Sequence, residues 1–377
     1  MKIKHLIIAV ALLAAAQLKA GTYNVSGTWK EGEGQWVYIQ LQEGQRSERV
    51  VTNIDSALVV NGRFSMRGSF DDVKEVTFRA GTTTKVFILE NAPIVVTCEM
   101  VERERDGNIT TNLRITVEGS AEQSMYNTFM DIRATETLLM FGIMFASQRE
   151  DAIPEQIDSV SRAYLRMQER NKHVIDSLII NNPDKVMAAF IIERLTNDWG
   201  LEKTEEMFNP LAPHVKTSTS GKNVQAAIDI MRAVAQGAMA PNFTLMDLDN
   251  KPARLSDYRG KYVLLDFWGS WCGPCRRTHP KLVELHAKYG NKNFDILGLA
   301  SERDTDGVAW KEAIEKGGLT WRQVNLTTNE TGADVLKNYN VFGFPTKILV
   351  GPTGEIIVTY VGASGELENK LAEIFGE

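Results

Sequence analysis

Cysteine is scarce in this chain of 377 residues, which contains only Cys98, Cys272 and Cys275. Small exported domains held together by disulfides carry many more cysteines for their length, so the count excludes that class of scaffold. A positive charge balance is also missing, because 48 acidic residues outnumber 42 basic ones. The composition therefore gives no basis for a nucleic-acid partner.

Long apolar runs are absent after the first twenty residues. The longest, residues 138–145, is far shorter than the ~20 residues of a membrane-spanning helix, and we interpret it as a buried helix face. Residues 1–20 differ, because Lys2 and Lys4 precede an eleven-residue apolar run that leads to Ala20. This pattern predicts a signal peptide cleaved after Ala20, with an uncleaved anchor as the alternative. Gly21 follows the cleavage site in place of a cysteine, so a lipoprotein anchor is not expected.

The remaining sequence divides into three patterns. Residues 21–120 contain short β-branched runs between turn residues, including the Asn61-Gly62 pair, and predict an antiparallel β domain. Residues 121–236 have helical periodicity, with one helix expected to start after Pro183 and to be capped by Asp184. Residues 237–377 alternate strand and helix patterns, which predicts an α/β domain with a central mixed sheet flanked by helices.

The chemistry is concentrated in Cys272-Gly273-Pro274-Cys275, which follows an apolar strand and opens a helix. The free N–H groups and partial positive charge of a helix N-terminus stabilise a thiolate. We therefore expect Cys272, at the exposed end, to attack a disulfide and Cys275, one turn later, to resolve the mixed disulfide. Pro274 suits the first helical turn because it needs no acceptor for an N–H.

This segment, with Trp271 before it, resembles the active site of the thioredoxin superfamily, and residues 237–377 resemble the TlpA/ResA-like thiol–disulfide oxidoreductases. The resemblance implies that Asp266 is a buried acid that moves protons beneath the two sulfurs. It also implies that Pro345 is a cis-proline and that the backbone of Phe344 docks the substrate. Pro280 matches the proline that kinks the active-site helix. One departure is Thr278, where such proteins often carry a glutamate.

The resemblance implies a periplasmic oxidoreductase without a bound cofactor, acting on disulfide-containing proteins. The Gly-Pro pair between the cysteines is similar to that of reducing thioredoxins, so we favour a reductase re-reduced by a membrane thiol donor. Trp271, Gly273, Pro274, Phe344 and Pro345 are the expected substrate-docking residues. The alternative function is a redox-sensing or partner-binding envelope protein, in which residues 21–236 recognise a partner or form a homodimer.

Simpler interpretations of the same residues remain. The two cysteines could be half of a zinc site, although no second ligand pair is evident and we expect no metal. They could also be a structural disulfide or belong to a peroxidase, although Gly269 replaces the threonine that a peroxidase requires. Asp266 could be a satisfied core group and Pro345 a trans turn proline.

Three further side chains have expected positions. We interpret His279 as a surface helix residue, with a catalytic base as the alternative. Trp268 and Trp271 are expected to be packing and rim residues, respectively. Cys98 is expected to be a buried free thiol.

Overall fold

The computed structural model describes residues 22–43, 50–69, 72–105, 108–149, 153–303, 307–362 and 366–376. The predicted signal peptide, residues 1–20, lies outside them. The chain divides into two compact units, one comprising Met1–Leu195 with Glu205–Val224 and the other Thr196–Thr204 with Gln225–Glu377. No helix among the described residues is both long and apolar enough to cross a bilayer.

The described residues of the first unit begin with eight strands. The strands β1 to β8 are, in order, Tyr23–Trp29, Trp36–Glu43, Val50–Leu58, Arg63–Gly68, Lys74–Ala80, Thr83–Leu89, Pro93–Arg105 and Asn108–Glu118. They form two four-stranded sheets, ordered β4-β1-β7-β8 and β3-β2-β5-β6. Every pairing in these sheets is antiparallel except that of β1 with β7, which is parallel.

The two sheets share one apolar core, as in a sandwich, built by alternate residues such as Val25, Phe78 and Val96. The first strand, Tyr23–Trp29, has no counterpart among the predicted runs, because Gly27 and its polar neighbours weaken the β pattern. The structure requires this glycine. A β-carbon at Gly27 would lie 2.2 Å from the Phe64 ring and 2.4 Å from the Val96 carbonyl oxygen.

Five helices follow among the described residues, as the periodicity predicted. They are α1 Ala121–Ser147, α2 Pro154–Ile180, α3 Val186–Phe208, α4 Pro213–Thr217 and α5 Thr219–Ala233. Gly200 interrupts α3 with φ +72°, a conformation that glycine adopts without steric cost. The predicted cap of α3 was wrong, because Asp184 makes no capping bond and the Glu122 side chain accepts from the Val186 and Met187 N–H groups.

The interpretation of residues 138–145 as a buried helix face was also wrong. The buried apolar residues of α1, Met125, Tyr126 and Phe129, all lie in its first half. The second half exposes apolar side chains, with Leu138 at 73% and Phe145 at 62% of their full accessibility. Periodicity identifies an apolar run but not what covers it, and no described part of the first unit covers this one.

The second unit contains the five-stranded mixed sheet β13-β12-β11-β14-β15, in which β11, β12 and β13 are parallel. The strand β14 is antiparallel to both β11 and β15. A two-stranded hairpin, β9 with β10, precedes it. The strands β9 to β15 are, in order, Thr244–Met246, Pro252–Arg254, Tyr262–Trp268, Phe294–Ala300, Arg322–Asn325, Thr346–Val350 and Ile356–Val361. The helices α6 to α9 are Gly273–Tyr289, Val308–Gly317, Gly332–Asn338 and Glu366–Phe375.

The central strand β11 separates two apolar layers, because successive side chains of a strand point to opposite faces. Leu265 and Phe267 belong to one layer. Leu264 and Trp268 belong to the other, which also contains both cysteines. Asp266 is two residues from both Leu264 and Trp268, so its side chain points to the same face of the sheet as theirs. The sheet order and the helices on it confirm the expected thioredoxin-like α/β architecture, preceded by a β-rich domain and a helical region.

Candidate active site

The two cysteines lie where β11 gives way to α6. Cys272 is the N-cap residue of α6, and its sulfur accepts a hydrogen bond from the Cys275 N–H at 3.2 Å. Gly273 and Pro274 form the first helical turn, and Pro280 lies inside the same helix. The predicted position of the pair, at the start of a helix that follows a buried strand, is confirmed.

The pair is oxidised in this structure, with an S–S distance of 2.08 Å. Cys272 is 4% exposed and Cys275 is fully buried. Cys272 is therefore the more accessible of the two residues, but it is far less exposed than its position at a helix start implied. Phe344 packs against the apolar cluster that contains both cysteines, which explains part of this burial.

Trp271 forms the rim of the site, as expected, and is 40% exposed. Its ring meets the Phe344 ring edge-on at 5.7 Å, and the Arg303 guanidinium lies 4.4 Å above it. The Trp271 indole N–H donates to the Ser301 carbonyl oxygen at 2.9 Å. The Phe344–Pro345 peptide bond is cis, as the resemblance implied.

The loop before Cys272 is held by Glu302, a residue that the sequence analysis did not identify. Glu302 is buried and accepts from the Ser270 N–H at 2.8 Å and from the Ser270 hydroxyl at 2.5 Å. Gly269 is required here, because a β-carbon would lie 2.7 Å from the Trp271 indole nitrogen. These contacts position Trp271 beside the cysteines.

Asp266 lies on β11 and is 1% exposed. Neither of its carboxylate oxygens has a hydrogen-bond partner among the described residues. Burial raises the pKa of Asp266 to about 6, and the nearby positive charge of Lys347 opposes this rise. A carboxyl group with this pKa can accept and release a proton near neutral pH.

The interpretation of His279 as a surface residue was wrong. It is 2% exposed, and its Nε2 lies 3.7 Å from Oδ2 of Asp266. Its ring packs edge-on against Trp268 at 4.7 Å. Burial, followed by the charges of Lys347 and Arg276, lowers the pKa of His279 to about 4. The sequence held a usable signal, because residues four apart on a helix share a face and His279 is four residues after the buried Cys275.

Lys347 is a second residue that the sequence analysis missed. It pairs directly with Asp266 across β11 and β14, and its ammonium group lies 3.8 Å from Oδ1 of Asp266. It is buried and donates a hydrogen bond to the Thr278 hydroxyl at 3.2 Å. A lysine in the apolar run of β14 requires such partners, and this was the signal that could have revealed it. Within the described ranges, no three potential metal ligands of the His, Cys, Asp or Glu type cluster together.

Together the fold and the site define a class: a thioredoxin-fold domain with a two-cysteine redox centre at a helix N-terminus. A sequence profile of the Redoxin family matches residues 235–374. The thiol-disulfide oxidoreductase ResA of Bacillus thuringiensis subsp. konkukian is 34% identical over 37% of this chain and 78% of its own length. The ResA of Geobacillus kaustophilus is 38% identical over 38% of this chain and 79% of its own length. This chain therefore belongs to the TlpA/ResA-like branch of the thioredoxin superfamily and is a thiol–disulfide oxidoreductase.

Two further similarities concern the redox domain and the β-rich region. The crystal structure of the thioredoxin domain of a thiol-disulfide oxidoreductase from Bacteroides vulgatus is 36% identical, with a TM-score of 0.35, and the match covers 37% of this chain and 97% of that chain. A profile described as a domain of unknown function, DUF4369, matches residues 23–126. The second match overlaps the β sandwich and the start of α1.

Proposed function

We propose that this chain reduces disulfides of exported proteins in the periplasm, with Cys272 as nucleophile, Cys275 as resolving cysteine and Asp266 as proton acceptor. The observation that carries the proposal is the juxtaposition of a helix-capping Cys272, a buried Cys275 and a buried carboxyl group in one layer beside β11. The signal-like pattern of residues 1–20 supports the location. The Gly-Pro pair between the cysteines supports the direction.

The reaction transfers two electrons. The Cys272 thiolate attacks one substrate sulfur, which forms a mixed disulfide and releases the first substrate thiolate. Cys275 then gives its proton to Asp266 and attacks the sulfur of Cys272, which releases the second substrate thiolate. The protein is left with the Cys272–Cys275 disulfide. A membrane thiol donor supplies the two electrons that restore the dithiol.

The residues proposed to contact the substrate are Trp271, Gly273, Pro274, Phe344 and Pro345. The partly exposed Trp271 and Phe344 rings supply apolar contact, and the backbone beside Pro345 pairs with an extended peptide segment. We also retain the proposed division of the chain into a signal peptide (1–20), a β domain (21–120), a helical region (121–236) and a redox domain (237–377).

The test is reduction of a model protein disulfide by the full-length chain with a recycling thiol donor. We expect Cys272→Ser to abolish turnover and Cys275→Ser to accumulate mixed disulfides, which also captures native substrates. Cys98→Ser is the matched control and should retain turnover. Undiminished activity of Cys272→Ser would refute the assignment.

The direction of the reaction has a separate test, the reduction potential of the Cys272–Cys275 pair. We expect a value near the roughly −270 mV of a reducing thioredoxin, and a value near the roughly −120 mV of a strong oxidant would contradict a reductase.

We propose as a second function that residues 21–236 join two copies of this chain. The observation that favours it is the apolar helix-pair surface, formed by Leu138, Leu139, Phe141 and Phe145 of α1 with Ile153 and Val160 at the start of α2. Each of these side chains is at least 38% exposed, and a contiguous apolar surface of this kind marks a site of protein–protein interaction. Two-fold pairing would place this surface against itself.

Light scattering after size-exclusion chromatography tests this dimer. We expect the native chain to be dimeric and the double variant Leu138→Glu with Phe145→Glu to be monomeric. Val50→Glu is the control, because Val50 is 61% exposed on β3 of the sandwich and lies outside the helix-pair surface. A native chain that is monomeric at tens of micromolar would reject the proposal.

A further inference from the structure

The buried position of Asp266 creates a problem of proton access. In the reaction proposed above, this carboxyl group gains a proton from Cys275 in each cycle and must lose it again. Its side chain is 1% exposed, and neither oxygen has a hydrogen-bond partner among the described residues. A proton held there needs a defined route to water.

Two side chains lie beside the carboxyl group. Lys347 is 3.8 Å from Oδ1, but it is itself buried and directs its hydrogen bond to Thr278. His279 is 3.7 Å from Oδ2 through its Nε2, which also lacks a hydrogen-bond partner among the described residues. Catalytic hydrogen bonds are often this long outside the reacting complex, so a small rotation brings the two atoms into contact.

The opposite side of the His279 ring faces the C-terminal end of α7. A β-carbon added at Gly317, the last residue of that helix, would lie 3.7 Å from Nδ1 of His279. Gly317 is half-buried, and the next residue, Gly318, is exposed and has φ +62°. The imidazole therefore extends from the buried carboxyl group towards the protein surface.

We propose that His279 relays the proton between Asp266 and solvent at the end of α7, an inference that rests on the proton role proposed for Asp266. When the Cys272–Cys275 disulfide closes, the Asp266 carboxyl O–H bond breaks and its proton binds Nε2. The proton on Nδ1 passes to water, which leaves the ring neutral in the other tautomer.

Re-reduction by the thiol donor reverses this path. As the donor thiolate attacks Cys272, water protonates Nδ1 and the Nε2 proton passes to the Asp266 carboxylate. The departing Cys275 thiolate then takes this proton from Asp266, which is left deprotonated as before closure. Each complete cycle restores the starting tautomer without rotation of the ring. The lowered pKa of His279 agrees with a ring that transfers protons rather than storing a charge, since Lys347 and Arg276 disfavour a further cation.

Two variants test the relay by different means. His279→Gln keeps a polar side chain beside Asp266 but removes the paired ring nitrogens. Gly317→Ala leaves the ring in place and puts a methyl group at van der Waals distance from Nδ1, and the Leu319 side chain, 3.2 Å from that methyl group, must shift by a few tenths of an ångström. Gly317 does not have a positive φ, so alanine suits its helical position. His286→Gln is the matched control, because His286 is on the same helix but faces Asp295.

The measurement is closure of the Cys272–Cys275 disulfide in the reduced full-length chain, followed by tryptophan fluorescence from pH 6 to 8 in H₂O and D₂O. Excess oxidised glutathione keeps closure rate-limiting. We expect His279→Gln and Gly317→Ala to slow closure on the order of 100-fold, the lower end of what a proton-transfer group contributes, and to change the solvent isotope effect. His286→Gln should match the native chain.

Asp266→Asn, measured in parallel, separates the two levels of the proposal. If Asp266→Asn also closes at the native rate, the proton role of Asp266 is itself wrong. If only Asp266→Asn is slow, and His279→Gln and Gly317→Ala stay within twofold of the native rate, the relay alone is overturned. Should His279→Gln fail to fold, Gly317→Ala decides, because it keeps the His279 side chain and its contact with Asp266.

Discussion

Asp266 and His279 are adjacent buried groups whose proton affinities are shifted in opposite directions. Burial raises the pKa of Asp266 from about 3.8 to about 6, and lowers that of His279 from about 6.5 to about 4. Both shifts have the same cause, because an apolar surrounding disfavours the charged form of either group. The pair is consequently neutral over much of the range in which its two members would otherwise be charged.

These shifts predict opposite effects on the free energy of unfolding. The folded state binds the Asp266 proton more tightly than the unfolded state, so its contribution falls as pH rises from about 4 to about 6. The folded state binds the His279 proton less tightly, so its contribution rises with pH from about 4 to about 6.5. Each of these two changes in the free energy of unfolding amounts to on the order of 3 kcal/mol, since one pKa unit corresponds to ~1.4 kcal/mol.

Denaturant unfolding between pH 4 and 7 checks this prediction. Asp266→Asn removes a contribution to the free energy of unfolding that decreases as pH rises. The stability of this variant relative to the native chain should therefore increase with pH. His279→Gln should lose stability over the same interval. Parallel curves for both variants and the native chain would show that neither group titrates with the stated shift.

Cys98 gives a second prediction at the scale of a single residue. Its thiol is 4% exposed in the sandwich core, and burial raises its pKa to about 12. A thiol reagent reacts with the thiolate, so Cys98 should be unreactive in the folded protein. We expect a thiol reagent to leave Cys98 unmodified in the folded native chain and to modify it after unfolding. Rapid reaction of Cys98 in the native Cys272→Ser, Cys275→Ser double variant would contradict this.

The start of α3 shows how one element depends on another. Its own N-cap residue, Lys185, makes no capping bond, and the first turn is completed by the Glu122 carboxylate of α1. The two backbone N–H groups, of Val186 and Met187, donate at 2.9 Å and 2.7 Å. A carboxylate at this position also interacts favourably with the helix dipole.

Replacing Glu122 should therefore destabilise the first unit. We expect Glu122→Gln to lower the free energy of unfolding by about 1–2 kcal/mol, the usual cost of a lost cap. Glu155→Gln, in the exposed first turn of α2, is the matched control and should have little effect. Thermal unfolding of the three proteins provides the measurement, and equal midpoints for both variants would exclude the cap as a stabilising contact.

At the scale of the whole molecule, the redox chemistry is confined to one part of the chain. Both ResA relatives match only 37–38% of this chain, yet the match covers 78–79% of their own length. The redox unit has its own apolar layers on both sides of β11. Its first residues are tied to it, since the Gly237 N–H donates to Ile356 and the Ala240 N–H to Gly354.

A fragment of residues 237–377 should therefore retain disulfide reduction of a small model substrate, within about twofold of the full chain. Residues 21–236 should matter for protein substrates if they select partners. Comparison of the two proteins on oxidised glutathione and on a native substrate captured with Cys275→Ser provides the measurement. Equal rates on both substrates would show that the extension does not select substrates.

The sequence patterns determined the α/β architecture and the position of Cys272 and Cys275 at a helix start, whereas the thioredoxin-like arrangement and the cis Pro345 were implied by the family resemblance. These features depend on short segments, in which a strand pattern, a turn and a helix start follow one another within a few residues. The β-rich character of residues 21–120 and the helical region were predictable in the same way, since periodicity of two and of 3.6 residues reports local structure. The arrangement as a sandwich, with its parallel pairing of β1 and β7, was not predicted. Tyr23–Trp29 was missed because its glycine is required by distant residues.

Only the tertiary structure decided which side chains meet. His279 and Lys347 reach Asp266 because α6 packs on the sheet and β14 pairs with β11, and neither relation is encoded in local spacing. The same applies to Glu302 beneath the Trp271 loop, to Glu122 at the start of α3, and to the apolar half of α1 left uncovered. A local sequence pattern determines whether a segment forms a strand or a helix. The burial of a side chain, its partners and its pKa depend instead on contacts between segments that are distant in the sequence.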